Sequence, residues 1–170
     1  MKIFGIGLTR TGTTSLTAAL RILGYSAKHL PMSYDDIKMY DASTDTPVAA
    51  RFPILDVFYP DSKFILTTRD KDSWIESAAS LVRNDDDPLW LLEGRAILYK
   101  TVVFDREKFL DAYDKYHDFV SSYFKNRTND LLVLPLNDTN KWKKLCQFLN
   151  KSNMYNVEEY PYLNFRTKHI

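Results

Sequence analysis

Glycine is scarce in this chain. There are five in 170 residues, where average usage would give about twelve, and three of them, Gly5, Gly7 and Gly12, fall within the first twelve positions. Net charge is almost absent: 23 Lys and Arg stand against 22 Asp and Glu, so no overall field draws the chain to nucleic acid or an anionic membrane. Cys146 is the only cysteine, which excludes an intrachain disulfide and a cysteine-cluster zinc site and points to a reducing compartment. Its setting among Trp142, Leu145, Phe148 and Leu149 predicts plain core. Long apolar runs are missing too. None approaches the ~18 residues of a membrane span, and Ile3 to Leu8 is too short for the ~7 to 15 apolar residues of a secretion signal. The expectation is a soluble, cytoplasmic protein. What is present is an ordinary globular composition, 45% apolar, 14% aromatic and 26% charged, in a length that suits a single domain over 1–170. Residues 151–170 form a polar tail.

Lys2 to Leu8 reads as a buried parallel-type strand that runs into Thr9-Arg10-Thr11-Gly12-Thr13-Thr14. From Thr14 the spacing turns helical, with Leu16, Ala19, Leu20 and Leu23 on one stripe and Gly24 as the stop. Tyr25 to Leu30 suggests a short strand ended by Pro31. Asp45-Thr46-Pro47 looks like a cap and first turn, and Pro53 is expected to break or restart that helix. Lys63 to Thr68 is a clear strand followed by a helix over Asp70 to Arg83. Beyond the polar break at 84–88, Leu89 to Lys100 and Asp105 to Arg127 carry helical stripes. Phe109, Tyr113, Tyr116, Val120 and Phe124 line the second as core. Leu131 to Pro135 is a last strand and Thr139 to Leu149 its helix. This alternation predicts an α/β fold in three layers, a P-loop NTPase-like parallel sheet flanked by helices. Ligands of such sheets bind beyond the carboxyl ends of the strands, where Thr9 to Ser15 and Thr67 to Asp70 both lie.

Gly7-Leu8-Thr9-Arg10-Thr11-Gly12-Thr13-Thr14 has the glycine spacing of a Walker A loop, in which backbone N–H groups and a helix N-terminus enclose phosphate oxygens. Thr13 stands where that motif has its lysine, and the nearest cation is Arg10. The next clear strand ends in Arg69, not in a magnesium-holding aspartate, so both departures weigh against ATP or GTP hydrolysis. A dinucleotide fingerprint starting at Gly5-Ile6-Gly7 fails because Arg10 occupies the third glycine position. An anion loop with arginine in it, and a second arginine at the next strand end, suits a nucleotide with anionic groups in two places.

Gly7 to Leu16 resembles the phosphosulfate loop of sulfotransferases that use 3′-phosphoadenosine 5′-phosphosulfate (PAPS), and Lys63 to Asp70 with Trp74 and Ser77 resembles their 3′-phosphate segment. The likeness extends to Asp45-Thr46-Pro47-Val48-Ala49 and to Trp142 to Leu149, elements of an intracellular branch found in bacteria and lower eukaryotes. It implies sulfonyl transfer from PAPS to a hydroxyl or amine, with adenosine 3′,5′-bisphosphate as product and no metal. Arg10 is then the candidate for the sulfonyl and leaving-group oxygens. Thr11, Gly12, Thr13, Thr14 and Ser15 would hold the 5′-phosphate, and Arg69 with Ser77 the 3′-phosphate. The late glycine-containing basic loop of animal enzymes is missing; Lys141, Arg166 and Lys168 are candidate substitutes, set against the plain reading of solvated cations.

A base is needed for the acceptor's proton. His29 is the first candidate, because a neutral imidazole suits that work near neutral pH. Asp45 is the competitor, as base if burial raises its pKa, or as a group that orients His29 or the acceptor. His117 and His169 receive no role. Two other readings stay open: a P-loop kinase using ATP and magnesium, and a non-catalytic nucleotide-binding protein. The partner is expected to be a small acceptor such as a sugar, phenol or lipid headgroup. Trp74, Trp90, Tyr99 and Phe104 are candidates to floor its pocket, with core packing as the plainer reading. Aromatics of residues 89–124 could serve a homodimer.

Overall fold

The computed structural model describes residues 1–80, 86–151 and 159–163. The helix end predicted at Arg83, and Arg166, Lys168 and His169, lie outside these residues. Five short strands form one fully parallel sheet in the order β2-β3-β1-β4-β5. They are β1 (Ile3–Gly5), β2 (Ala27–His29), β3 (Ala42–Thr44), β4 (Lys63–Thr68) and β5 (Leu131–Pro135). Seven α-helices are described: α1 (Thr13–Ile22), α2 (Tyr34–Met39), α3 (Thr46–Phe58), α4 (Lys71–Ala79), α5 (Leu89–Tyr99), α6 (Arg106–Phe124) and α7 (Lys141–Phe148). The predicted α/β sheet flanked by helices is what forms.

The central strands β1, β3 and β4 are buried on both faces, so their side chains alternate between two cores. Phe4, Ile6, Phe64 and Leu66 join α3 to α6, while Ile3 and Ile65 meet α1 and α7. Cys146 lies in this second core, fully buried, as expected. On the first face Phe52 is the hub of an aromatic cluster, its ring 5.2 to 6.3 Å from those of Phe64, Tyr116, Phe119, Tyr123 and Phe124.

Several sequence expectations are corrected. β1 covers only Ile3–Gly5, and the chain from Ile6 onward already belongs to the loop. β3 and α2 have no counterpart in the predicted pattern: β3 is three residues long with Ser43 and Thr44 in it, and α2 is six residues long. Pro53 does not interrupt α3. A proline deprives the carbonyl four residues earlier of its donor. Here that carbonyl belongs to Ala49, and the Tyr116 hydroxyl, whose hydrogen goes chiefly to Ile6 O at 2.6 Å, lies 3.4 Å from it. At the start of α3 the expected cap is present, with Asp45 accepting from the Thr46 N–H and Pro47 in the first turn.

The strand register brings the site together. Gly5 pairs with Thr44 on one side and Ile65 on the other, and Thr44 pairs with His29. All strands being parallel, the segments that follow β1, β2, β3 and β4 emerge on one rim. Gly5 permits the close approach of α1: a Cβ there would sit 2.9 Å from Leu16 Cδ2 and 2.7 Å from Thr44 Cγ2.

Candidate active site

The loop between β1 and α1 turns on two residues with left-handed backbone, Arg10 (φ 67°) and Gly12 (φ 102°). Gly12 is the N-cap of α1. Among the described residues no side chain caps that helix, and no acidic residue lies in its first turn. The N–H groups of the first turn therefore face the rim with the positive end of the helix dipole behind them. Gly7 is required for a different reason, because a Cβ on it would fall 1.9 Å from Thr67 Oγ1.

The loop is held by aromatic residues from the first core. Trp74 Nε1 donates to Thr9 O at 2.8 Å, Tyr116 donates to Ile6 O at 2.6 Å, and Tyr113 donates to Arg69 O at 2.5 Å. The sequence shows these residues only as apolar helix positions. Their polar tips, each aimed at a carbonyl of a rim segment, come to light only in three dimensions.

Arg10 and Arg69 come together on the rim. Arg69 Nη1 is 3.4 Å from the Arg10 carbonyl oxygen, and Arg10 Nε donates to Ser77 Oγ at 2.9 Å. Ser77 thus stands beside Arg10. The serine beside Arg69 is Ser73, whose Oγ accepts from Arg69 Nε at 3.0 Å. Asp70 caps α4 through the Ser73 N–H, so the turn after β4 is capped as expected. Ser73 was missed by sequence reasoning, although an arginine and a serine four residues apart across a capped helix start is a legible signal.

The loop hydroxyls have partners inside the protein. Thr11 Oγ1 donates to Leu8 O at 2.6 Å and lies 2.7 Å from Thr67 Oγ1. Thr13 Oγ1 donates to Asp45 Oδ2 at 2.6 Å. A hydroxyl has one hydrogen, so in this arrangement Thr13 offers an anion its backbone N–H and not its side chain, while the Thr11 N–H is itself donated to Leu8 O at 3.3 Å. Ser15 Oγ accepts from the Leu163 N–H at 2.9 Å and keeps its hydrogen to give.

At the neighbouring strand ends His29 meets Asp45. His29 Nε2 lies 3.0 Å from Asp45 Oδ2, 3.1 Å from Thr14 Oγ1 and 3.4 Å from Thr13 Oγ1. Asp45 is 4% exposed and sits at φ 85°, in the left-handed region that a side chain adopts only when its surroundings impose it. Burial pushes its carboxyl up, but hydrogen bonds from His29 and Thr13 and from the Thr46 N–H outweigh it and hold Asp45 below the usual carboxylate range. Sequence reasoning named both residues; the structure joins them.

Of the four aromatic pocket candidates, Trp74 and Tyr99 are fully buried in the core, and Phe104 packs against it. Trp90 lines a cleft of about 500 Å³ with Tyr34, Arg51, Ile54, Glu93 and Ile97. The Arg51 guanidinium lies 3.8 Å from the Trp90 ring centroid and pairs with Glu93 at 3.0 Å. Lys141 is no loose surface cation. It is 3% exposed, hydrogen-bonded to Leu136 O and packed 4.3 and 4.9 Å from the rings of Tyr162 and Tyr160. His117 bonds the Tyr113 carbonyl through Nδ1. No helix among the described residues is long and apolar enough to cross a membrane.

The chain is similar to the Ava biosynthesis cluster protein M of Aspergillus versicolor, with 30% identity over a stretch that covers 45% of this chain and 41% of that protein. The alignment thus spans less than half of the relative's length. A family profile described as a sulfotransferase domain matches residues 2–37 and 32–169. With the anion loop, the two arginines on the rim and nearly the whole length matched, the chain belongs to the sulfotransferase-domain family.

Proposed function

We propose that the protein moves a sulfonyl group from PAPS to a hydroxyl or amine of a small acceptor, in an in-line displacement. The observation that carries this reading is the pairing of Arg69 with the backbone of Arg10 beside the uncapped start of α1. It sets two guanidinium groups and a row of backbone donors around one rim, as a nucleotide with separated anionic groups requires. The residues present fit such a donor. Arg10 and the first-turn N–H groups of Thr13, Thr14 and Ser15 would hold the 5′ end, and Arg69 with Ser73 and Ser77 the 3′-phosphate. When bound, PAPS supplies an electrophilic sulfur and a 5′-phosphate leaving group.

Catalysis is then a matter of positioning and charge stabilisation. Arg10, whose Nε donates to Ser77 Oγ, would place its guanidinium charge against the developing negative charge. His29 takes the acceptor's proton. The cleft lined by Trp90, Tyr34 and Ile54 begins on α2, five residues beyond His29, and is proposed as the acceptor's seat.

Titration with adenosine 3′,5′-bisphosphate and with ATP and magnesium tests the reading. Preferential binding of the bisphosphate is expected, with transfer of labelled sulfate from PAPS to some member of an acceptor panel. Tight binding of ATP and magnesium alone would make the protein a kinase-like nucleotide binder. Bisphosphate binding without any transfer would leave a non-catalytic role.

A further inference from the structure

The carboxylate of Asp45 is saturated. Oδ1 accepts from the Thr46 N–H at 2.6 Å and from Thr46 Oγ1 at 3.0 Å. Oδ2 accepts from Thr13 Oγ1 at 2.6 Å and faces His29 Nε2 at 3.0 Å. A carboxylate has about four lone-pair sites, and all four are in use. A buried group with no open lone pair cannot collect a proton from an incoming acceptor, so the role of base does not fall to Asp45.

Its effect falls on the imidazole. In a neutral histidine one ring nitrogen carries hydrogen and the other a lone pair, and the partner of one nitrogen decides which. Were Nε2 to carry the lone pair, it would point at a carboxylate oxygen 3.0 Å away, lone pair against lone pair in a buried place. The hydrogen must therefore be on Nε2, shared between Asp45 Oδ2 and the nearby Thr14 Oγ1. Tyr99, whose phenol feels Asp45, is buried and held protonated, with its pKa pushed well up, so it brings no second negative charge to the pair.

We infer that Asp45 is a positioning residue that holds His29 as the Nε2–H tautomer, so that Nδ1 is the atom that receives the acceptor's proton. The inference rests on the sulfonyl-transfer reading above. His29 Nδ1 takes the proton that the acceptor oxygen or nitrogen loses as its electron pair forms the new bond to sulfur; the pair of the broken S–O bond leaves on the 5′-phosphate. The imidazolium that results stands against the Asp45 carboxylate, which offsets its charge. Because Thr13 donates to the same carboxylate oxygen, the loop that would hold the leaving group and the base share one anchor.

The test is the protonation pattern of His29 in the full chain, read from ring nitrogen shifts and long-range proton–nitrogen couplings of nitrogen-15-labelled protein, with the neutral ring expected to carry hydrogen on Nε2. In Asp45→Asn, which keeps the cap of α3, the amide hydrogens face Nε2 and the hydrogen should move to Nδ1. Transfer should then fall by about 10²-fold or more in kcat, with the KM for PAPS little changed. A wild-type ring protonated on Nδ1 would sink the inference, and needs no variant to detect. So would an Asp45→Asn protein in which either the tautomer or the rate stays as in the wild type. Failure of the wild-type protein to bind adenosine 3′,5′-bisphosphate overturns the sulfonyl-transfer reading instead, and leaves the tautomer to decide the role of Asp45.

Discussion

Arg69 and His29 do different work at the rim, and single substitutions should separate them. Arg69 is one of two guanidinium groups there, and a hydrogen bond to a charged group contributes about 1.5–3 kcal/mol. Arg69→Ala should therefore weaken adenosine 3′,5′-bisphosphate binding by roughly tenfold to a hundredfold, and ATP binding much less. Calorimetric titration of both ligands checks this, and equal losses would remove Arg69 from the 3′-phosphate site. His29→Ala should leave bisphosphate binding intact while transfer falls about 10²- to 10⁴-fold, the usual contribution of a general base. Full activity in that variant would place the base elsewhere. Both residues were legible in the sequence, one as a cation at a strand end and the other as a lone imidazole after a short strand. Their partners were not: that Ser73, not Ser77, meets Arg69 depends on how α4 leaves the sheet.

At the level of elements, the rim is supported from below by helices that do not touch a ligand. Tyr116 on α6 reaches Ile6 O and the Ala49 carbonyl that Pro53 leaves without a donor. Tyr116→Phe keeps the ring and removes the hydroxyl that serves the Ile6 carbonyl, and should cost about 1–3 kcal/mol in urea unfolding. A loss within experimental error would show that the loop after β1 does not depend on this bond. Gly7→Ala is expected to be more damaging, because its Cβ would overlap Thr67 Oγ1 and crowd the Thr67 carbonyl at 2.7 Å. The expected outcome is a lower melting temperature together with lost bisphosphate binding. β4, the longest of the five strands, and helix α6 were readable from the sequence pattern because each has enough residues to show it. β3 was not, since three residues with two hydroxyls among them carry no period, and their burial comes wholly from neighbours.

For the molecule as a whole, acid stability should follow Asp45 and Asp56. Burial pushes both carboxyls up, but in each case the partners prevail: His29 and Thr13 for Asp45, Arg127 and Tyr123 for Asp56. Folded pKa values below the ordinary 3.8 mean that the unfolded chain binds more protons in this range. The stability these groups contribute is complete above that value and is lost as pH falls through the lower folded values. Thermal unfolding followed by circular dichroism should show a midpoint that declines below about pH 4. Asp56→Asn should shallow that decline, and an acid limb unchanged by it would assign the effect to other carboxylates.

The order of the longer elements, the anion loop with arginine in place of lysine, and the burial of the central strands were determined by the sequence itself, because each rests on neighbours along the chain. Glycine spacing, apolar runs and helix caps act within a few residues. Which groups face one another was decided only by the tertiary structure. His29, Asp45 and Thr13 come from three separate segments and meet because β2, β3 and β1 are adjacent parallel strands whose ends share a rim. Likewise the tryptophan and tyrosines that read as core turn out to fasten the loops of that rim, since a ring can fill the core while its polar tip reaches a carbonyl far away in sequence.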